Sequence, residues 1–178
     1  MRRAYSLLEL LVVVAVMMLM AGLSLPLLTR ALGDARFLSF VAGFSGDLAM
    51  ARCYAQISGL SVSMDLAVGE GIRYRVYVRD QEVDRTLVIS RDQGSSLKIG
   101  NNLPADVLPH PVSGGAMKSA LKSTHKPEII FGERGAGAAT VVFSDRGGRA
   151  VCAVVSSRTG RFRVYVWDRR AGSWLDYY

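Results

Sequence analysis

Apolar residues fill the start of the chain almost without a break. From Leu7 to Leu28 a single charge occurs, at Glu9, and the next is Arg30. The twenty residues between those two charges would span about 30 Å as a helix, the thickness of a hydrocarbon core. The pattern therefore predicts a membrane-crossing helix. Past Arg30 the apolar positions fall into three- and four-residue steps, at Phe37, Phe40, Val41, Phe44, Leu48, Ala51 and Ala55. That spacing puts them on one buried face of a helix, with Asp47 and Arg52 expected on another side. Ser58-Gly59 reads as its stop. One helix from about residue 5 to about residue 57 results, half in lipid and half lying on a soluble domain.

Beyond Gly59 the period drops to two. Residues 61–68 and 72–79 alternate polar with apolar, and Glu70-Gly71 between them suggests a hairpin. Residues 86–90 extend that sheet. The stretch 92–127 then holds four of the five prolines among Gly, Ser and Asn, which predicts a loop-rich insertion. Strands resume at 128–131, 140–143, 150–156 and 162–167. A helix followed by two groups of strands gives an α+β fold: a long N-terminal helix, membrane half plus amphipathic half, packed on antiparallel β-sheets.

Glu9 is out of place in this pattern. A charged side chain deep in a bilayer costs roughly 2.5–3.5 kcal/mol on insertion scales, and a plain anchor gains nothing from it. A secretory signal shares the basic start Met1-Arg2-Arg3-Ala4, but its apolar core is short and uncharged. The basic start itself is expected to stay cytoplasmic.

The run Ala4-Tyr5-Ser6-Leu7-Leu8-Glu9-Leu10-Leu11-Val12-Val13-Val14-Ala15 resembles the prepilin motif of type IV pilins and type II secretion pseudopilins. The resemblance implies a cut between Ala4 and Tyr5 by a prepilin peptidase/methyltransferase, N-methylation of Tyr5, and an assembly role for Glu9, the fifth residue of the mature chain. Pro26 matches the helix-kinking proline often found near the end of the membrane segment. Two positions depart from the usual pattern, Ala4 where Gly is common and Tyr5 where Phe is common. In the family's assembly scheme Glu9 meets the positive amino terminus of a neighbouring subunit within the lipid. Pairing opposite charges in a low dielectric offsets much of their desolvation, whereas a lone charge stays costly. The implied organisation is a leader at 1–4, a transmembrane and assembly helix at 5–29, and a periplasmic pilin-like globular domain at 30–178. The chain would cross a bacterial inner membrane once, with a cytoplasmic N-terminus.

A narrower resemblance lies further on. Asp47-Leu48-Ala49-Met50-Ala51-Arg52-Cys53-Tyr54-Ala55-Gln56, followed by Gly59-Leu60-Ser61-Val62, looks like the helix end and first strand of the GspH/FimT family. Val142-Phe143-Ser144-Asp145-Arg146-Gly147-Gly148 and Gly160-Arg161-Phe162-Arg163 fit that family's C-terminal order. The implied function is that of a minor pseudopilin of a type II secretion system, a structural subunit of a short pseudopilus. Its partners would be other major and minor (pseudo)pilins, the inner membrane and secreted cargo. Two alternatives stand beside it: a FimT-like minor type IV pilin that binds DNA, and an anchored binding domain that joins no filament.

Charge adds to the DNA alternative. The net charge of +7 falls to +5 once Arg2 and Arg3 leave with the leader. Residues 134–178 carry eight arginines against Asp145, Asp168 and Asp176, with Phe162, Tyr165, Trp167 and Trp174 interleaved. Forked guanidinium donors suit phosphates, and Arg161, Arg163, Arg169 and Arg170 are the candidate contacts. The opposing explanation is a half-buried strand with a wet face, since Arg161 and Arg163 alternate with Phe162 and Val164. Cys53 and Cys152 are either bridged, as an oxidising compartment permits, or two buried thiols.

Enzyme signatures do not hold together. Ser119-Ala120-Leu121-Lys122 spells S-x-x-K without a downstream K-T-G. Gly132-Glu133-Arg134-Gly135-Ala136-Gly137 lacks the Lys-Ser/Thr of a phosphate loop. His110 and His125 are the only histidines, and no cluster has metal-ligand spacing. A structural protein without cofactor or metal is expected.

Overall fold

The structure, a computed structural model, describes residues 7–67, 73–79, 86–92, 97–99, 108–117, 121–124, 127–145 and 148–177. One helix, α1, runs from Leu7 to Ser58. It stops where the sequence supplies Gly59, whose φ of +71° suits a residue without Cβ. The last carbonyls are taken up locally: Gly59 N donates to Ala55 O at 3.1 Å and Ser58 Oγ to Tyr54 O at 2.7 Å.

Among the described residues ten strands follow: β1 Ser61–Ala67, β2 Arg73–Arg79, β3 Thr86–Asp92, β4 Leu97–Ile99, β5 Leu121–Ser123, β6 Glu128–Phe131, β7 Ala139–Asp145, β8 Ala150–Val155, β9 Phe162–Asp168 and β10 Ser173–Asp176. They form two antiparallel sheets. The first has the order β3-β2-β1-β6; the second has the order β10-β9-β8-β7-β4, with β5 also on β7. The layout is α+β, as the change of period predicts. The expected turn at Glu70-Gly71 lies outside the described residues. The 92–127 stretch is less bare than its composition suggests, since it holds β4, β5 and a turn closed by a bridge between Pro109 and Ala116.

The chain divides into two units, Met1–Phe40 and Val41–Tyr178. In the first, α1 is long and apolar enough to cross a membrane, and its most apolar 18-residue window is wholly exposed. In the second, Val41, Phe44, Leu48, Ala51 and Ala55 are all buried, as their spacing predicts, and Phe37 and Phe40 of the first unit are buried as well. Phe44 locks the helix to both sheets, meeting Tyr74 of β2 at 5.4 Å and Phe143 of β7 at 4.8 Å, edge to face.

Asp47 departs from the expectation of an outward side. It is only 6% exposed, and its Oδ2 accepts the Tyr74 hydroxyl proton at 2.8 Å. A buried carboxylate is tolerable there because a donor reaches it from the sheet.

Both faces of the second sheet are covered, which explains the unbroken apolar run in β7. Val141 and Phe143 are buried on the side that receives Phe44. Val142 turns to the opposite side and joins Leu108, Ala150, Cys152, Tyr165 and Trp167 in a second cluster, with Met117, Val154 and Trp174 packed against it.

Candidate functional site

Glu9 stands in the first turn of α1, exposed among exposed leucines. A carboxylate there is favoured by the positive end of the helix dipole. Ala4 and Tyr5, the expected cleavage and methylation positions, lie outside the described residues. α1 remains helical through Pro26, whose ring nitrogen has no proton for the Gly22 carbonyl. Nearby, Ser24 Oγ donates to Met20 O at 2.9 Å.

The four candidate arginines are all exposed, but they do not converge on one point. Arg161 precedes β9, Arg163 stands on it, and Arg169 and Arg170 lie in the turn after it. Seven β9 residues separate the two ends, more than 20 Å at strand rise. Arg163 is held above its usual range by a hydrogen bond to Tyr165, then by the charges of Tyr165 and Asp176. The Arg169 guanidinium lies over Gly148, so close that a Cβ there would meet its Cζ at 2.9 Å. Gly148 itself has a φ of +75° in the β7–β8 turn, where Arg149 N donates to Asp145 Oδ1 at 2.8 Å and Arg149 Nε to Asp145 Oδ2 at 2.6 Å. Arg170 N is occupied by Asp168 Oδ1 at 2.8 Å. The arginines thus form a band along β9 rather than a pocket.

Both cysteines are free thiols, so the bridge between Cys53 and Cys152 is not made. Cys53 is exposed in an apolar groove with Met50, Tyr54 and Ile57, which corrects the expectation of two buried thiols. The cause is helical phase: Cys53 is two residues from both Ala51 and Ala55, which are buried, and so faces away from them. Cys152 is buried, and burial pushes its thiol up to about 12.

The glycine-rich segment is a turn. Gly132 N donates to Gly135 O at 2.8 Å, Gly137 N to Ile130 O at 2.7 Å and Ala136 N to Ser157 O at 3.1 Å. Gly135 lies so near Ser157 O that a Cβ would approach it to 2.7 Å. Ser119 of the S-x-x-K pattern is outside the described residues, while Lys122 lies on β5. Among the described residues no group of three or more His, Cys, Asp or Glu side chains is placed to hold a metal ion.

His110, which has no metal-ligand spacing, stands at the head of a turn. Its ring closes the turn at 108–117 from within and touches β7 through Thr140. The signal was Pro109-His110-Pro111-Val112-Ser113-Gly114-Gly115, a turn composition with a side-chain acceptor at its head. Comparison with known protein families, curated proteins and solved structures returns no match.

Proposed function

We propose that the chain is a minor pseudopilin of GspH type, anchored in the bacterial inner membrane and incorporated into a short periplasmic pseudopilus that supports protein secretion. The observation that carries this reading is α1. A single helix of 52 residues carries Glu9 at the head of an exposed apolar stretch, and a later stripe of it, Val41 to Ala55, is buried. Removal of residues 1–4 by a prepilin peptidase frees the Tyr5 amino group, and Glu9 pairs with that terminus on a neighbouring subunit. The role is structural: α1 supplies the anchor and the filament contact, and the domain meets other minor subunits or cargo.

The test is Glu9→Ala in the full chain. The variant is expected to insert and be cleaved normally, yet to enter filaments at least about tenfold less, since one buried charge is then left without its partner. Normal assembly would rule out the pairing role and favour an anchored domain that joins no filament. Mass analysis of the mature chain checks the processing step, with N-methylated Tyr5 as the expected first residue.

The exposure of all four arginines favours a second reading, a FimT-like minor pilin that takes DNA along β9. Binding through phosphates would weaken steeply with salt, and Arg163→Ala would reduce the salt slope by about one. An electrophoretic assay showing no shift in low salt removes this reading.

A further inference from the structure

Residues 108–117 fold over the second cluster with a histidine as their clasp. His110 N donates to Gly115 O at 2.7 Å, and Gly114 N donates to His110 O at 2.8 Å. Inside that loop, His110 Nδ1 accepts from two backbone donors, Val112 N and Ser113 N, each at 3.2 Å. Backbone N–H groups can only donate, so Nδ1 is the bare nitrogen and the ring proton sits on Nε2. Nε2 lies 3.3 Å from Thr140 Oγ1 on β7. One residue back, Pro109 O accepts the Trp174 indole proton at 2.7 Å, which ties the turn to β10. Leu108 and Met117 pack with Val142, Cys152, Tyr165 and Trp167.

We propose that His110 is a proton-operated latch: neutral, it holds residues 108–117 on the aromatic face of the second sheet, and protonated, it lets them go. An imidazolium carries N–H on both nitrogens. Protonation therefore sets a third N–H against those of Val112 and Ser113, and the turn loses its internal acceptor. A side-chain oxygen in an Asx-turn caps two such donors in the same way but does not titrate.

Among the described residues, the charge that acts on the latch, that of Lys122, opposes the proton, and Arg163 further along is itself met by Asp176. The described part of the 108–117 segment contributes no ionisable group besides His110. Across from Thr140 stands Lys122 of β5, and on the other side Val154 of β8 followed by Arg163 of β9. No carboxylate occurs in that cross-strand row. Burial, then the charge of Lys122, holds His110 below its ordinary 6.5. In a released turn the imidazole titrates near 6.5, so the closed turn binds its proton at lower pH than the open one. Closure is thus fully favoured above about pH 6.5 and loses that advantage as pH falls through the lower value of the closed form. Opening uncovers Trp174, Trp167 and Tyr165, an aromatic surface that a partner subunit or cargo can meet.

The chain carries its own probes, because its two tryptophans, Trp167 and Trp174, both lie in this cluster. Full-length protein in detergent micelles is titrated from about pH 8 to about pH 4.5, following tryptophan emission and quenching by acrylamide. The wild type is expected to shift to the red and become easier to quench, with a midpoint below 6.5. His110→Asn, which caps the same two donors without titrating, is expected to stay flat. Lys122→Gln is expected to raise the wild-type midpoint. A flat wild type, or a His110→Asn chain that titrates like the wild type, overturns the latch. If His110→Asn does not fold, a midpoint unmoved by Lys122→Gln overturns it instead.

Discussion

At the scale of single residues, two side chains of one type have opposite fates. The Cys53 thiol faces outward from α1, whereas Cys152 is sealed beneath Tyr165 and Trp167 with its thiol raised to about 12. Only the thiolate attacks electrophiles, and a thiol titrating near 12 holds roughly one part in ten thousand as thiolate at pH 8. Maleimide at that pH is expected to label Cys53 within minutes and Cys152 only after denaturation, giving one fast equivalent by intact mass. A second fast equivalent would show that the cluster opens. Tyr74→Phe is a complementary probe, because it takes a donor from the buried Asp47 carboxylate and leaves the ring in place. It is expected to cost about 1–3 kcal/mol, read as a lower thermal midpoint in detergent.

At the scale of elements, what was legible depended on length. α1 could be read because its apolar run and its three-and-four stripe each persist for many residues. Strands β6 through β9 could be read where alternation or unbroken burial lasted four residues or more. β4 and β5, three residues each, carry too few positions to show any period. They are strands because β7 offers them partners, which no local pattern records. β10 was hidden for a related reason: Leu175 stays exposed and Trp174 half-buried, so the strand lacks a clean buried face. Asp47 misled because a carboxylate ordinarily marks the wet side of a helix, and its partner, Tyr74, is 27 residues away. Of the candidate site, the place of Glu9 in an apolar run could be read from its surroundings, and the local composition marked the His110 turn, while its contact with Thr140, 30 residues on, left no local trace. The β7–β8 turn gives an element-level test. Gly148→Ala forces a left-handed φ on a residue with Cβ and is expected to cost about 1–2 kcal/mol by thermal denaturation. The Arg169 guanidinium can swing clear of the new methyl group, so the backbone term should dominate.

At the scale of the whole molecule, the first unit carries an exposed apolar helical stretch, and the second has a core of two parts, one between helix and sheets and one beyond the second sheet. Attachment of such a chain to a membrane should depend on apolar burial rather than charge, despite its net +7. High salt weakens surface electrostatics but not burial. Membranes washed in about 1 M salt are therefore expected to retain the full chain, as assayed by immunoblot of pellet and supernatant. Release into the supernatant would mean that basic side chains, not α1, hold it there.

The two short strands on β7 have a consequence for how this protein can change over time. Ile99 pairs with Phe143 and Leu121 with Val141, so the chain leaves β7 and returns to it two residues away, about 7 Å along the strand. Between those anchor points the chain is held again at 108–117, so changes in length that leave that turn in place need not disturb the register of either sheet. Each doubling of such a loop adds only about 0.6 kcal/mol of closure entropy. Related chains are free to diverge on either side of that turn, and a tag or an epitope can be grafted there, while the scaffold beneath stays the same.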